Sequence, residues 1–370
     1  MTLDIFPGFS PDIFPAFSDA EYERRYRAVR RLMAQQGLDC LIVYGESGYN
    51  EHNQANVHYL TNYSHPYPCY VLFPLEGEPA LLMLGGLHHP HARRMSRLPD
   101  TEGVAGDIAA RVVERVKGMG LERGRLGLVG AHRSGILNHD HVRTLREGLP
   151  HATFQRAEAL MFEVRRVKSD EEVAWLRRGA QLTDDAVRAL EEGAREGMAE
   201  HELHAILSYA YLRQEGGWPK TIFIGSTSMH APDLVFPRQR PSRRVVRRGD
   251  VVLLELSCAY WQYAGQIQRP IAVGEPPTPK YQELFDIASE VYHRIVDTLG
   301  PGKTEQDVIR AGYLMKERGV WTFDGLLHGW GLGLEPPSVD VPGVPLLERG
   351  AVQPCTFEPG MTVVVQPNVV

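Results

Sequence analysis

The sequence predicts an α/β domain followed by a second domain of long helices and antiparallel strands. Its 370 residues are roughly two to three times an ordinary domain of about 150. Through the first half, short apolar runs alternate with helical periodicities, the pattern of helices covering a sheet. The chain then changes character at a charged stretch, MFEVRRVKSDEEVAWLRRGA, which places the boundary near residue 160, with domains 1–160 and 161–370. At 43% hydrophobic and 23% charged residues the chain is globular, which sets disorder, collagen and coiled coil aside.

A formal net charge of -6 argues against a general nucleic-acid partner. The four cysteines, Cys40, Cys69, Cys258 and Cys355, show no CxxC spacing and no disulfide framework. MTLDIFPGFSPDIFPAF has no basic region leading into an apolar stretch, so it does not read as a signal peptide. No apolar run approaches the ~18 residues of a bilayer span. The expectation is a soluble, cytoplasmic protein with no membrane partner.

In chain order, Ser18 with Glu21 reads as a capping box opening a helix through Tyr22, Tyr26, Val29 and Met33, and Gly37 ends it. CLIVY (Cys40–Tyr44), YVLFP (Tyr70–Pro74) and ALLML (Ala80–Leu84) read as buried strands. Pro90 is expected to break any helical face through His88, His89 and His91, and no carboxylate adjoins them. A surface loop is therefore favoured over a metal cluster. A helix over Ile108–Val116 and a strand over Leu126–Val129 complete the first half.

In the second half, Ser169 with Glu172 forms another capping box, opening a helix with Val173, Leu176, Ala180 and Leu182 inward. Helices follow around His201–Arg213 and Tyr281–Leu299. Val251–Leu256 and Ile267–Val273 read as strands paired through a tight, tyrosine-rich turn. Six arginines fall within Arg238–Arg248. With no aromatics interleaved, they read as a solvated loop rather than a funnel for anionic substrates.

Four segments carry polar groups in strand-like or glycine-rich surroundings: GSTSMHAPD with His230, LLELSCAYWQYAGQIQR with Glu255, Gln266 and Gln268, HGWGLGLE with His328 and Glu335, and TFEPGMTVVVQP with Glu358 and Gln366. An ionised carboxylate inside VVLLELS is costly without partners. For Glu255 alone a buried salt bridge is as good an account as a functional role. Four such segments together point to a shared site.

The ordered set GDVVLLELS, GQIQR, HGWGLG and EPGMTVVVQP resembles the creatinase, prolidase, aminopeptidase P and methionine aminopeptidase superfamily. NVHYLTNY resembles the substrate-loop strand of its N-terminal domain, and RRVKSDEEVAWLR its interdomain joint. The resemblance implies an α/β N-terminal domain, an α+β "pita-bread" catalytic domain, and a family ligand set of Asp, Asp, His, Glu and Glu. Matched motif by motif, those ligands fall on Glu255, Gln266, His328, Glu358 and Gln366. The family's second histidine is absent: Glu335 stands at its place, or the loop is one residue shorter. Two carboxylates are thus amides, which weakens a dinuclear centre and leaves at most one weak divalent metal on Glu255, His328 and Glu358.

That pattern is closer to creatinase, the metal-free branch, and the resemblance implies no metal cofactor and His230 as the acid/base group. Glu255, His328 and Glu358 complete the expected catalytic set. Gln266, Gln268 and Gln366 would orient a neutral or zwitterionic small-molecule substrate. Arg269 reads either as a carboxylate binder or as a structural ion pair. The resemblance further implies a homodimer whose N-terminal domain covers the neighbour's site, with Tyr63 and His65 as contacts. It also implies another strand and an acidic turn after Gln366, whereas the sequence stops at QPNVV.

The expected activity is metal-independent hydrolysis of a C–N bond of amide or urea type, or a related lyase or isomerase step. The alternatives are a metal-dependent Xaa-Pro aminopeptidase or prolidase-like peptidase with altered ligands, and a catalytically inactive binding protein.

Overall fold

The computed structural model describes residues 8–46, 54–64, 67–130, 137–340 and 354–370. They form two compact units, Met1–Arg165 and Arg166–Val370. The division falls at the end of a helix that contains residue 160, rather than before it.

The first unit runs α1 (Asp19–Gln36), β1 (Cys40–Gly45), α2 (Ala55–Thr61), β2 (Cys69–Pro74), β3 (Ala80–Leu84), α3 (His89–Met95), β4 (Asp100–Val104), α4 (Ile108–Gly118), β5 (Arg125–Val129), α5 (His139–Gly148), β6 (Thr153–Arg156) and α6 (Glu158–Arg166). Its six strands form one mixed sheet in the order β4-β3-β2-β1-β5-β6. Side chains alternate across a strand, yet Leu41 and Val43 are as buried as Cys40 and Ile42, so both faces of β1 are covered. One face packs Ile42 and Leu126 against Val112 and Val116 of α4 and Leu145 of α5.

Local expectations fare unevenly here. Ser18 Oγ does accept from Glu21 N, but the Glu21 carboxylate turns to Arg24 and to the buried Arg25. Gly37 closes α1 at φ 62. NVHYLTNY is not a strand: its first six residues lie in the buried helix α2. Pro90 does not break the histidine segment, because it sits in the first turn of α3, where no backbone donor is required of it.

The second unit runs α7 (Asp170–Gly193), α8 (Glu200–Leu212), β7 (Thr221–Ser228), β8 (Asp250–Ser257), β9 (Ala259–Tyr260), β10 (Tyr263–Ala264), β11 (Ile267–Val273), α9 (Pro279–Thr298), α10 (Glu305–Gly312), α11 (Leu314–Glu317), β12 (Leu327–Trp330), β13 (Leu334–Val339) and β14 (Val363–Val365). The capping box at the start of α7 is complete in both directions.

Two antiparallel three-stranded sheets, β11-β8-β7 and β13-β12-β14, hold the site. Helices α7 and α8 cover one through Leu182, Ala186 and Leu203 on Val252, Leu254 and Leu256. Helices α9 and α10 pack Val291, Ile295 and Val308 with Leu327, Val339 and the partly buried Val363 and Val365. Alternation then sends Glu255, Gln268, His328 and Gln366 to the faces that the helices leave open.

The tyrosine-rich turn is a second small hairpin, β9–β10, turned by Trp261 and Gln262, both at positive φ (44 and 71). Two positive-φ residues match the twist of a two-residue hairpin loop. Close glycine contacts fix this hairpin on α7. A Cβ on Gly179 would stand 2.4 Å from Tyr263 O, and one on Gly265 would stand 2.4 Å from Ala180 Cα. Gln266 follows directly, so its position depends on that contact.

Gly179→Ala tests this. Alanine improves intrinsic helix propensity by up to ~1 kcal/mol, whereas overpacking of this kind costs about 1–3 kcal/mol. Urea unfolding should therefore show a net loss of stability; a gain would mean that α7 and the hairpin can separate freely.

Candidate active site

Glu255 lies on β8, the middle strand of its sheet, directly opposite Gln268 on β11 and Phe223 on β7. Its two oxygens are held separately: Oε1 accepts from Gln266 Nε2 at 2.9 Å and Oε2 from Gln268 Nε2 at 3.3 Å. Gln268 Nε2 also reaches Gln366 Oε1 at 3.5 Å, and Gln366 Nε2 donates to Asp324 Oδ2 at 3.1 Å. The chain of contacts crosses from one sheet to the other. An ionised carboxylate only accepts, so Glu255 fixes the rotation of both neighbouring amides. Their carbonyl oxygens, Gln266 Oε1 and Gln268 Oε1, are buried and have no hydrogen-bond partner.

Burial pushes the Glu255 carboxyl up to about 7; hydrogen bonds from Gln268 and Gln266 oppose the rise, and the Asp324 charge adds to it. His328, on β12, is buried. Its Nδ1 lies 3.1 Å from Gly329 O, an arrangement in which Nδ1–H donates and the basic lone pair stands on Nε2. The ring meets Trp330 edge-on. A cavity of ≈ 890 Å³ has Gln266, Gln268, Gln366, Phe236, Phe323 and Trp330 in its lining, whereas Glu255 and His328 stand behind these residues rather than in the wall.

Other expected members do not join. His230 follows β7 in an exposed turn, with Nε2 2.9 Å from Glu275 Oε1. Ser228 pairs with Asp250, so His230 stands at the opposite end of β8 from Glu255, some ~16 Å along the strand. Glu358 precedes the turn at Gly360 (φ 86), is half exposed and binds Arg166 Nη1 at 2.8 Å. The carboxylate that occupies the network in its place is Asp324, which the sequence reading missed. Glu335 is buried but engaged by the equally buried Lys168 ammonium. Arg269 pairs with Leu254, a residue of the helix-side core, so alternation turns it away from Glu255. Its Nε is buried without a hydrogen-bond partner.

In the first unit, Tyr63 is 1% exposed, its phenol pushed up by burial, so it offers no contact surface. His65 lies outside the described residues. The arginine run is only partly solvated: Arg244 grips Asp250 through two bonds of 2.7 and 2.9 Å, and Arg238 lies 3.4 Å from the buried Glu200.

A model of metallopeptidase family M24 matches residues 174–370, more than half of the chain, and a model of the creatinase/prolidase N-terminal domain matches residues 25–167. The chain belongs to metallopeptidase family M24. It has the two-part architecture of its prolidase and aminopeptidase P members, and by family it is a hydrolase. An Xaa-Pro dipeptidase of Pyrococcus furiosus is 26% identical over 311 residues, covering 83% of this chain and 84% of the relative.

Among solved structures, an Xaa-Pro dipeptidase from Bacillus anthracis superposes with a TM-score of 0.74 at 23% identity, covering 94% of this chain and 90% of the other. A prolidase from Thermococcus sibiricus gives 0.76 at 18%, covering 95% and 90%. These relatives favour the peptidase alternative over the creatinase-like reading. No helix among the described residues is long and apolar enough to cross a membrane.

Two dications in a shared cage require carboxylates to neutralise and bridge them. Among the described residues no group of three or more His, Cys, Asp or Glu side chains is placed to hold a metal ion. Gln266 and Gln268 present N–H to Glu255, and an amide N–H is no metal donor. The residues present do not fit the family's dinuclear centre.

Two measurements check this electrostatic picture. Because the folded pKa of Glu255 is raised, the folded state holds its proton more tightly than the unfolded state does. Its contribution to stability is therefore fully present below about pH 4.5 and is lost as pH rises through about 7, a change of roughly 3 kcal/mol. Carbon-13 titration of Glu255 should show a midpoint near 7; a midpoint in the ordinary carboxylate range would refute the assignment. Lys168→Met should cost about 3–5 kcal/mol by removing the buried cation that engages Glu335, while adding Glu335→Leu should recover most of the loss. Denaturant titration of the two variants reads both values.

Proposed function

We propose that this chain hydrolyses the amide bond of a small, dipeptide-like substrate, with Xaa-Pro dipeptides, the substrates named for its relatives, as the first class to test. One observation carries the reading: Gln266 and Gln268 both line the cavity, and their buried amide oxygens have no hydrogen-bond partner. Held in rotation by Glu255, they are acceptors waiting for N–H donors, and the α-ammonium group of a dipeptide supplies them. The aromatic rings of Phe236, Phe323 and Trp330 suit the apolar body of such a substrate.

In this reading His328 performs the proton transfers. Its Nε2 lone pair takes a proton as water adds to the amide carbonyl carbon. The imidazolium then returns that proton to the nitrogen as the C–N bond breaks, giving a carboxylic acid and an amine. Glu255 acts as a positioning residue for the two glutamines. The metal-dependent alternative shares this substrate class and differs in what activates the water.

A panel of Xaa-Pro dipeptides, matched Xaa-Ala dipeptides and simple ureas, assayed with the purified protein, tests the proposal. Turnover of the dipeptides is expected, with His328→Ala lowering kcat/KM by about 10²–10⁴. Glu255→Leu should instead act mainly on KM. If no amide is cleaved, or if His328→Ala is as active as the parent, the reading fails.

A further inference from the structure

At the family's metal positions, Glu255 pairs with Gln266, Gln366 pairs with Gln268 and Asp324, and Glu358 pairs with Arg166, so their negative charge is met without an ion. We propose that in this chain carboxamide N–H groups have taken over the work of the second metal, and that the dinuclear centre of the family does not assemble. Each carboxylate oxygen that faces the junction of the two sheets receives an amide donor. Gln266 Nε2 serves Glu255 Oε1, Gln268 Nε2 serves Glu255 Oε2, and Gln366 Nε2 serves Asp324 Oδ2. Gln268 Nε2 is additionally shared with Gln366 Oε1, which closes the path from Glu255 to Asp324.

Two further carboxylates are removed from any ligand role by full cations. Lys168 engages the buried Glu335, and its ammonium also donates to Arg166 O at 3.3 Å. Arg166 engages Glu358. The two cations stand two positions apart, Arg166 as the last residue of α6 and Lys168 in the short link to α7. Among the three glutamines, the acceptors left over are the neutral amide oxygens Gln266 Oε1 and Gln268 Oε1. Neutral oxygens offer a dication little compensation for its lost hydration.

Replacing Gln266 by Asp and Gln366 by Glu exchanges two N–H donors for two anionic oxygens. Glu255 and Asp324 then face carboxylates instead of donors, and only a cation restores balance. The altered chain should therefore demand what the parent refuses.

The test does not depend on substrate or turnover, so it stands apart from the proposed activity. The purified parent is dialysed, analysed for metal by mass spectrometry, and titrated with Mn²⁺ and Co²⁺ by calorimetry and thermal unfolding. No stoichiometric metal and no rise in Tm with either ion are expected. Gln266→Asp/Gln366→Glu should bind Co²⁺ with visible d–d absorption, and its Tm should rise with metal. Two equivalents of Mn²⁺ or Co²⁺ bound tightly by the parent would overturn the proposal, whether or not the variant folds. A folded variant that still ignores metal would overturn the assignment of the exchange to these two positions.

Discussion

A carboxylate on the middle strand of a three-stranded sheet needs donors within reach, and most of the second unit follows from meeting that need at Glu255. The cross-strand neighbour Gln268 supplies one donor through the β8–β11 register. The other, Gln266, lies just before the strand, where the β9–β10 hairpin returns the chain. A slip of one residue in that hairpin would turn both amides to the helix-covered face. The two positive-φ residues at its tip and the tight contact of Gly179 and Gly265 with their neighbours prevent the slip. The amides then create a demand of their own, which Gln366 and Asp324 meet from the other sheet. One buried charge thus ties turn geometry, helix packing and the junction of two sheets into a single requirement.

Full charges and partial charges are used in different places. At the junction of the sheets the donors are neutral amides, and the Glu255 carboxyl stays near its midpoint at neutral pH because burial outweighs their hydrogen bonds. At the start of α7 the partners are Lys168 and Arg166, and the pairs they make are complete salt bridges. For the buried Lys168–Glu335 pair this is a weak source of net stability but a strong constraint on geometry, since neither partner tolerates the loss of the other. Lys168 also donates its backbone N–H to Gly360 O at 2.9 Å, so the segment that supplies these cations also fixes the turn leading into β14 and Gln366.

The sequence made Glu255, Gln266, Gln268 and Gln366 conspicuous because each is polar where the strand pattern calls for an apolar or solvent-facing residue. That signal is local, and it survives folding. What failed depended on information the local pattern lacks. NVHYLTNY satisfies helix and strand equally over so short a run, and burial in the first unit decided for helix. His230 was placed by its motif, but the pairing of Ser228 with Asp250 puts it at the far end of β8. Glu358 has the right spacing from Gln366 along the chain, yet the turn at Gly360 lies between them. Lys168 and Asp324 gave no warning at all. A lysine before a capping serine reads as surface, and only the buried Glu335 makes it interior.

Family membership and site chemistry rest on different residues in this chain. The sheets and their covering helices are held by Leu182, Leu254, Val291 and their neighbours, and by glycines that permit close approach. The apolar side chains among them lie on the helix-covered faces, opposite Glu255. Exchanging Glu for Gln changes one heavy atom and keeps the volume, and exchanging Asp for Gln adds one methylene, changes made on the faces opposite that core. Either exchange also reverses half of what the side chain can offer, from two anionic acceptors to one neutral acceptor and one donor. Fold similarity to prolidases is therefore compatible with a site of different donor and acceptor chemistry. The donor inventory, more than the superposition, decides what such a site can hold.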